Sequence, residues 1–331
     1  VRPAAFRRAI ARPEAAAAAG AFLVWIVFAL AAGPAFRGAE GAAAYLNAAA
    51  PLGILAVGVT LLMIGGEFDL SVGSVVGASG IVLMLLVTEG GWSLWPAAGV
   101  ALGAGIGVGL LNGYVVVRTG LPSFIVTLAT LFIVRGLTIS LTRALTGRTQ
   151  LGGLEQVAGY ESARTLLAST PVEPFDVAIL WWLGLAALAS WVLLRTQWGN
   201  WIFAAGGNPE AARSVGVPVA SVKIALFVTT AACASFVGIL QAVRFTGADV
   251  LRGQLQEFHA IVATVIGGTL LTGGYGSVVG AVFGSAVFGM VRQGIVMSGV
   301  DADWFQVFLG AMLLLAVLVN AWALRLVTKV R

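Results

Sequence analysis

Long apolar stretches alternate with short polar ones along this chain, at a spacing that a lipid bilayer would set. A helix needs about 20 apolar residues to cross the hydrocarbon core. Ten stretches meet or approach that length: 15–33, 45–66, 68–88, 94–117, 122–144, 176–195, 222–244, 258–272, 276–297 and 303–323. Only the run Gly65-Gly66-Glu67-Phe68-Asp69 separates the second from the third. The eighth is short and ends at Thr272-Gly273-Gly274, as a partial or broken helix would. The pattern predicts an all-α polytopic transmembrane bundle of about ten spans. It reads as one membrane unit over residues 1–331, with 1–14 as a tail and an uncleaved first span. Three stretches are polar enough to be loops: 145–175, 196–221 and 246–257.

Composition sharpens this picture. Hydrophobic residues make up 59% of the chain and charged ones 10%, with a mean hydropathy of +0.98; soluble domains carry roughly 25% charged residues. The 44 glycines suit helices that approach closely in lipid. The basic residues hug the ends of apolar segments, so the basic balance speaks for membrane topology and not for nucleic acid. Cys233 is the only cysteine, which excludes an intrachain disulfide and leaves no cysteine-based metal site.

Lys and Arg accumulate in cytoplasmic loops. With the N-terminus inside, that side holds Arg2, Arg7, Arg8, Arg12, Arg118, Arg195, Arg213, Lys223, Arg325, Lys329 and Arg331. The opposite side holds Arg37, Arg143, Arg148, Arg164, Arg244 and Arg252, while Arg135 and Arg292 fall within spans. Both termini are therefore expected in the cytoplasm, with 145–175 and 246–257 outside and 196–221 inside.

The hexapeptide Gly73-Ser74-Val75-Val76-Gly77-Ala78 recurs unchanged at 276–281, each copy following a Gly-Gly pair. Either an internal repeat or the chain's richness in Gly, Val and Ala accounts for it. Gly99, Gly103 and Gly107, the interleaved Gly105, Gly109 and Gly113, and Gly276, Gly280 and Gly284 form four-residue glycine spacings that favour close helix packing.

Two polar stretches stand out. In 65–74, Gly66, Glu67, Asp69, Ser71 and Gly73 lie between two spans, where charge is expensive; Asp69 is placed to cap the next helix. The stretch 206–218 reads Gly-Gly-Asn208-Pro209-Glu210-Ala211-Ala212-Arg213-Ser-Val-Gly216-Val-Pro. Asn208 suits an N-cap, Pro209 the first helical position, Glu210 the positive helix end, and Gly216 the stop. The resulting two-turn helix is too short to stand alone in water, which points to a docked partner.

These stretches carry a family resemblance. The 65–74 run resembles the signature of the ribose-type sugar ABC transporter permeases, a bacterial inner-membrane family. Glu210-Ala211-Ala212-x-x-x-Gly216 resembles the first part of the EAA motif, the coupling helix of ABC importers, without its later Ile-x-Leu-Pro portion. The 121–130 run with Asn112-Gly113 ahead of it, and Glu257-Phe258-His259-Ala260-Ile261 followed by 265–269 and 274–277, are similar to further family blocks, in family order from about 50 to 320. His259 stands where relatives usually carry Asp, and Arg292-Gln293 where many read Asn-Asn. The resemblance implies a permease subunit paired with a second permease subunit as a homodimer and bound to two cytoplasmic ATPase subunits. A periplasmic or lipid-anchored binding protein would deliver a monosaccharide or small polyol to it.

ATP and Mg would be used by the partner ATPase, since no phosphate-binding loop occurs here. The lone His excludes a H-E-x-x-H zinc site, and no G-x-S-x-G elbow is present, so no catalytic or metal role is expected. The alternative is a secondary carrier or channel needing no ATPase. A sugar path should offer amides and hydroxyls; by type and position the candidates are Asn47, Asn112, Ser123, Thr127, Thr130, Gln241 and Gln293.

Overall fold

The computed structural model describes residues 13–328, and side chains over 14–318. Arg2, Arg7, Arg8, Arg12, Lys329 and Arg331 lie outside the described residues, as does the side chain of Arg325. The helices run in order α1 (Pro13–Ala31), α2 (Pro34–Arg37), α3 (Ala39–Ile64), α4 (Val72–Thr88), α5 (Leu94–Thr119) and α6 (Ser123–Thr146). A short strand β1 (Gln150–Gly152) precedes α7 (Tyr160–Leu167), α8 (Val177–Arg195), α9 (Gln197–Gly207), α10 (Pro209–Ser214) and α11 (Val219–Arg244). Strand β2 (Gly247–Asp249), α12 (Gln256–Ile266), α13 (Val278–Met297) and α14 (Phe305–Thr328) complete the order. This is an all-α polytopic membrane bundle.

All ten apolar stretches are helical. Seven helices among the described residues are long and apolar enough to cross a membrane, and α4 is a shorter apolar helix. At 11 residues, α12 reaches about 16 Å, half of a hydrocarbon core of about 30 Å. It ends before Gly267-Gly268, earlier than the sequence pattern suggests, because apolar character continues where the backbone leaves the helix. The expected loop 196–221 is in fact mostly helix, α9 and α10.

The chain divides into two compact units. The first comprises the residues up to 66, 179–208 and those from 260 on; the second comprises 67–178 and 209–259. In the first, α3 and α13 pack together and are the most enclosed helices, with α1 against α13. In the second, α4 lies against α5, α6 and α11. One hexapeptide copy opens the central helix of each unit, but their registers differ. Ser277 is the N-cap of α13, its hydroxyl accepting from Gly280 N–H at 3.4 Å. Its counterpart Ser74 lies inside α4 and donates to the Ser71 carbonyl at 2.7 Å.

The glycine spacings sort by neighbour. Side chains at Gly109 and Gly113 would collide with Ala231 and the Phe227 carbonyl, and with Ile224, so this stripe of α5 seats α11. Gly280 and Gly284 likewise face Gly267 and Ala263. Gly99, Gly103 and Gly107 have nothing within 4 Å; that stripe packs against no other part of the described chain. The outward face of α6 shows Phe124, Ile125, Phe132, Ile133, Leu137 and Leu141, the apolar surface a helix offers to lipid.

Candidate functional site

The stretch 67–71 between α3 and α4 is non-helical, so its backbone amides need partners from elsewhere. Phe68 N–H donates to Ser123 Oγ at 3.0 Å and Leu70 N–H to Thr127 Oγ1 at 3.1 Å. Two residues of open chain advance about 6.6 Å and four of a helix about 6 Å, so alternate amides meet hydroxyls one turn apart on α6. Thr127 Oγ1 donates in turn to the Ser123 carbonyl at 2.8 Å.

A second chain of bonds pins Ser71. Thr130 Oγ1 donates to Asn112 Oδ1 at 2.7 Å, Asn112 Nδ2 to Ser71 Oγ at 3.0 Å, and Ser71 Oγ to Asp69 Oδ1 at 2.5 Å. Asp69 also accepts from Ser71 N–H at 2.8 Å. The expected cap on α4 is therefore not formed. The N-cap residue is Ser71, which makes no side-chain cap bond, and Asp69 holds the amide and hydroxyl of Ser71 itself. Glu67 forms an ion pair with Lys223 in the first turns of α11, and both are largely buried.

Four of the candidate path residues, Asn112, Ser123, Thr127 and Thr130, are thus buried members of this clamp. Gln241 is buried on α11, where its main-chain carbonyl accepts from Arg252 Nη1 at 3.2 Å. Asn47 on α3 and Gln293 on α13 are half-buried in the first unit.

The 209–216 element forms the short helix α10. Gly216, at φ +86°, ends α10 in a Schellman turn: its N–H reaches the Arg213 carbonyl at 3.0 Å, and Val217 N–H reaches that of Ala212 at 3.0 Å. Asn208 serves as the C-cap of α9, extended at φ −151°. Glu210, Ala211, Arg213, Ser214 and Val215 are exposed, but Ala212 is buried within the chain. Ala212 therefore faces its own fold, not the outside surface the short helix offers. Only Val217 and Pro218 separate the Schellman glycine from α11, and Val219 and Val222 at its start are fully buried. The short helix is thereby tied closely to the turn that carries Lys223.

The 246–257 stretch, expected as a plain loop, folds back along α4. Gly80, Gly77 and Gly73 share one face of α4 and meet Ala248, the Arg252 carbonyl, and the Gly253 carbonyl with the Glu257 carboxylate, in that order. Non-helical backbone is tolerated among spans where protein encloses it. Glu257, which sequence reading left without a role, then lies 3.7 Å from Arg135. Arg135 stands halfway along α6 and is the partner of this acid. Arg244 pairs similarly with Asp176. No short-range signal could find these pairs, because their members are far apart in sequence.

In the first unit, three Gly-Gly pairs converge. Gly274 N–H donates to the Ile64 carbonyl at 2.8 Å. A Cβ on Gly273 would lie 2.7 Å from Gly66 Cα and 2.8 Å from the Gly206 carbonyl. The connections after α3, after α9 and before α13 thus meet at one place. In the second unit, β1 pairs antiparallel with β2, Gln150 opposite Asp249, and Leu94 N–H bonds the Ala158 carbonyl.

Over residues 41–317 the chain matches the family model described as "Branched-chain amino acid transport system / permease component". It is 35% identical over 272 residues to the ribose import permease protein RbsC of Escherichia coli K12, covering 81% of each chain. It is 32% identical over 334 residues to the xylose transport system permease protein XylH of the same strain, covering 86% of this chain and 85% of that one. To the inner membrane ABC transporter permease protein YjfF it is 30% identical over 287 residues, with 86% and 85% covered. No solved structure gives a significant match. The chain is an integral membrane protein of this permease-component family, and it belongs with the ribose-type sugar ABC transporter permeases.

Proposed function

We propose that this chain is the membrane-spanning permease subunit of a binding-protein-dependent ABC importer for a monosaccharide or related small polyol. Relatives named for ribose and xylose transport support the sugar class. One observation carries the coupling: an exposed, glycine-terminated short helix is joined by a tight turn to the helix whose Lys223 holds Glu67. On this reading two copies of the chain enclose a path, and ATP and Mg act on separate cytoplasmic ATPase subunits. Closure of the ATPases moves α10 and switches the path between inward- and outward-facing states. Residues 196–221 and both termini then lie on the cytoplasmic side of the inner membrane, as the Lys/Arg distribution favours.

Copurification and turnover test this. The chain, reconstituted in lipid with its ATPase, should hold the ATPase subunits and import sugar only with ATP and sugar-loaded binding protein. Ala211→Glu, on the exposed face of α10, should weaken ATPase binding and lower uptake with it. Sugar transport by the unaltered chain with no ATPase present would overturn the proposal in favour of a secondary carrier.

A further inference from the structure

We propose that the Arg135–Glu257 pair, at the break before α12, is a binding point on the solute path that takes a neutral vicinal diol of a sugar or polyol; this rests on the importer reading above. Both residues belong to the second unit. A charged side chain at mid-span is expensive, and such residues face a path or a partner inside the bundle. The start of α4 is already deep: Ser71 is bonded to Asn112, seven residues before the end of α5, which is about 10 Å along a helix. Glu257 packs beside Gly73, in the first turn of α4. The pair therefore sits well inside the spans, at the N-terminus of a half-length helix, an arrangement that transporters use to meet solutes.

The pair is unfinished. At 3.7 Å the guanidinium and carboxylate neutralise each other without hydrogen bonding. Arg135 Nη2 and Glu257 Oε2 are both buried with no hydrogen-bond partner, and so is Gln256 Oε1 on the neighbouring residue. Glu257 is 2% exposed, whereas Arg135 keeps 20%, so the arginine marks the side from which a solute arrives. Leu255, immediately before α12, has φ +65°, a strained conformation of the kind retained at working sites. A free guanidinium donor and a free carboxylate acceptor match a hydroxyl pair. One hydroxyl donates to Glu257 Oε2 and the vicinal one accepts from Arg135 Nη2. A neutral polyol completes these bonds and leaves the charge balance of the pair intact. An anionic or cationic solute would upset it.

The test uses the chain with its ATPase in lipid, in a Cys233→Ala background. Thr138, one turn from Arg135 on the same face of α6, is replaced by Cys, which leaves the pair untouched. A hydrophilic methanethiosulfonate should label it, and millimolar D-ribose, D-xylose or myo-inositol should slow labelling where sodium phosphate does not. No labelling in any nucleotide state, or no protection by any of the three polyols, overturns the proposal. Glu257→Gln should lower sugar moved per ATP hydrolysed by about tenfold, the size of one lost bond to a charged group, while binding-protein-stimulated hydrolysis stays near wild type. The exchanged pair Arg135→Glu with Glu257→Arg should recover thermal stability but not uptake. Recovery of wild-type uptake by the exchanged pair would show a purely structural role and overturn the proposal. Labelling and protection need no ATP, so they hold even where ATPase dependence, and with it the importer reading, fails.

Discussion

Thr127 is the most informative position at which to perturb the clamp. Its hydroxyl accepts from Leu70 N–H and donates to the Ser123 carbonyl, and both Thr127 and Leu70 are buried. Thr127→Val removes the hydroxyl with little change of shape. The Ser123 carbonyl still accepts the ordinary helical bond from residue 127, so the loss falls on Leu70 N–H. That donor is left buried and unpaired, at a cost of about 1–3 kcal/mol. Thr127→Ser keeps the bond and should cost well under half as much. Purified variants in mixed micelles, unfolded reversibly with a denaturing detergent, give the difference directly. Thr127→Val should be less stable than Thr127→Ser by at least about 1 kcal/mol, and uptake should fall only in proportion to the folded fraction. Equal stability of the two variants would refute the clamp. Normal stability with lost uptake in Thr127→Val would refute it differently, returning this hydroxyl to the solute path.

Asp69→Ala strands both the amide and the hydroxyl of Ser71, whereas Asp69→Asn keeps one acceptor oxygen; melting should show a loss of about 1–3 kcal/mol for Ala and a much smaller one for Asn. Glu67→Gln alone leaves Lys223 charged and unpaired in a mostly buried site, a loss of about 3–5 kcal/mol, and the double variant with Lys223→Met should recover most of it in the same unfolding assay. Gly216→Val forces a β-branched residue into φ +86°, costing about 1–2 kcal/mol in the Schellman turn; ATPase binding and stimulated hydrolysis should drop together. An impermeant thiol reagent on intact cells, in a Cys233→Ala background, should reach Ser162→Cys and not Ser214→Cys, and the reverse pattern would invert the topology.

The sequence by itself determined the class of molecule. A bilayer forces each span into a long apolar run, so every helix that crosses or half-crosses was legible as composition alone. The end of α10 was equally legible, because Gly216 fills a conformation that other residues resist. What needed the tertiary structure was every contact made across sequence distance. The hydroxyls of Ser123 and Thr127, the Asn112 amide and the Thr130 hydroxyl read as polar groups available to a solute; the fold uses the first two to satisfy the amides of Phe68 and Leu70 and the other two to hold the Ser71 hydroxyl. Ala212 belongs by sequence to the stretch that resembles a coupling helix, and only the packing of one helical face decides that it is buried. The return of 246–257 along α4 was hidden for the same reason. A polar, glycine-bearing stretch reads as a solvent loop, and only the row of Gly73, Gly77 and Gly80 on the opposing helix gives it room to enter the bundle and bring Glu257 to Arg135. Local periodicity and turn chemistry act over a few residues, whereas the pairing of buried polar groups is settled by which segments the packed bundle brings within hydrogen-bond reach.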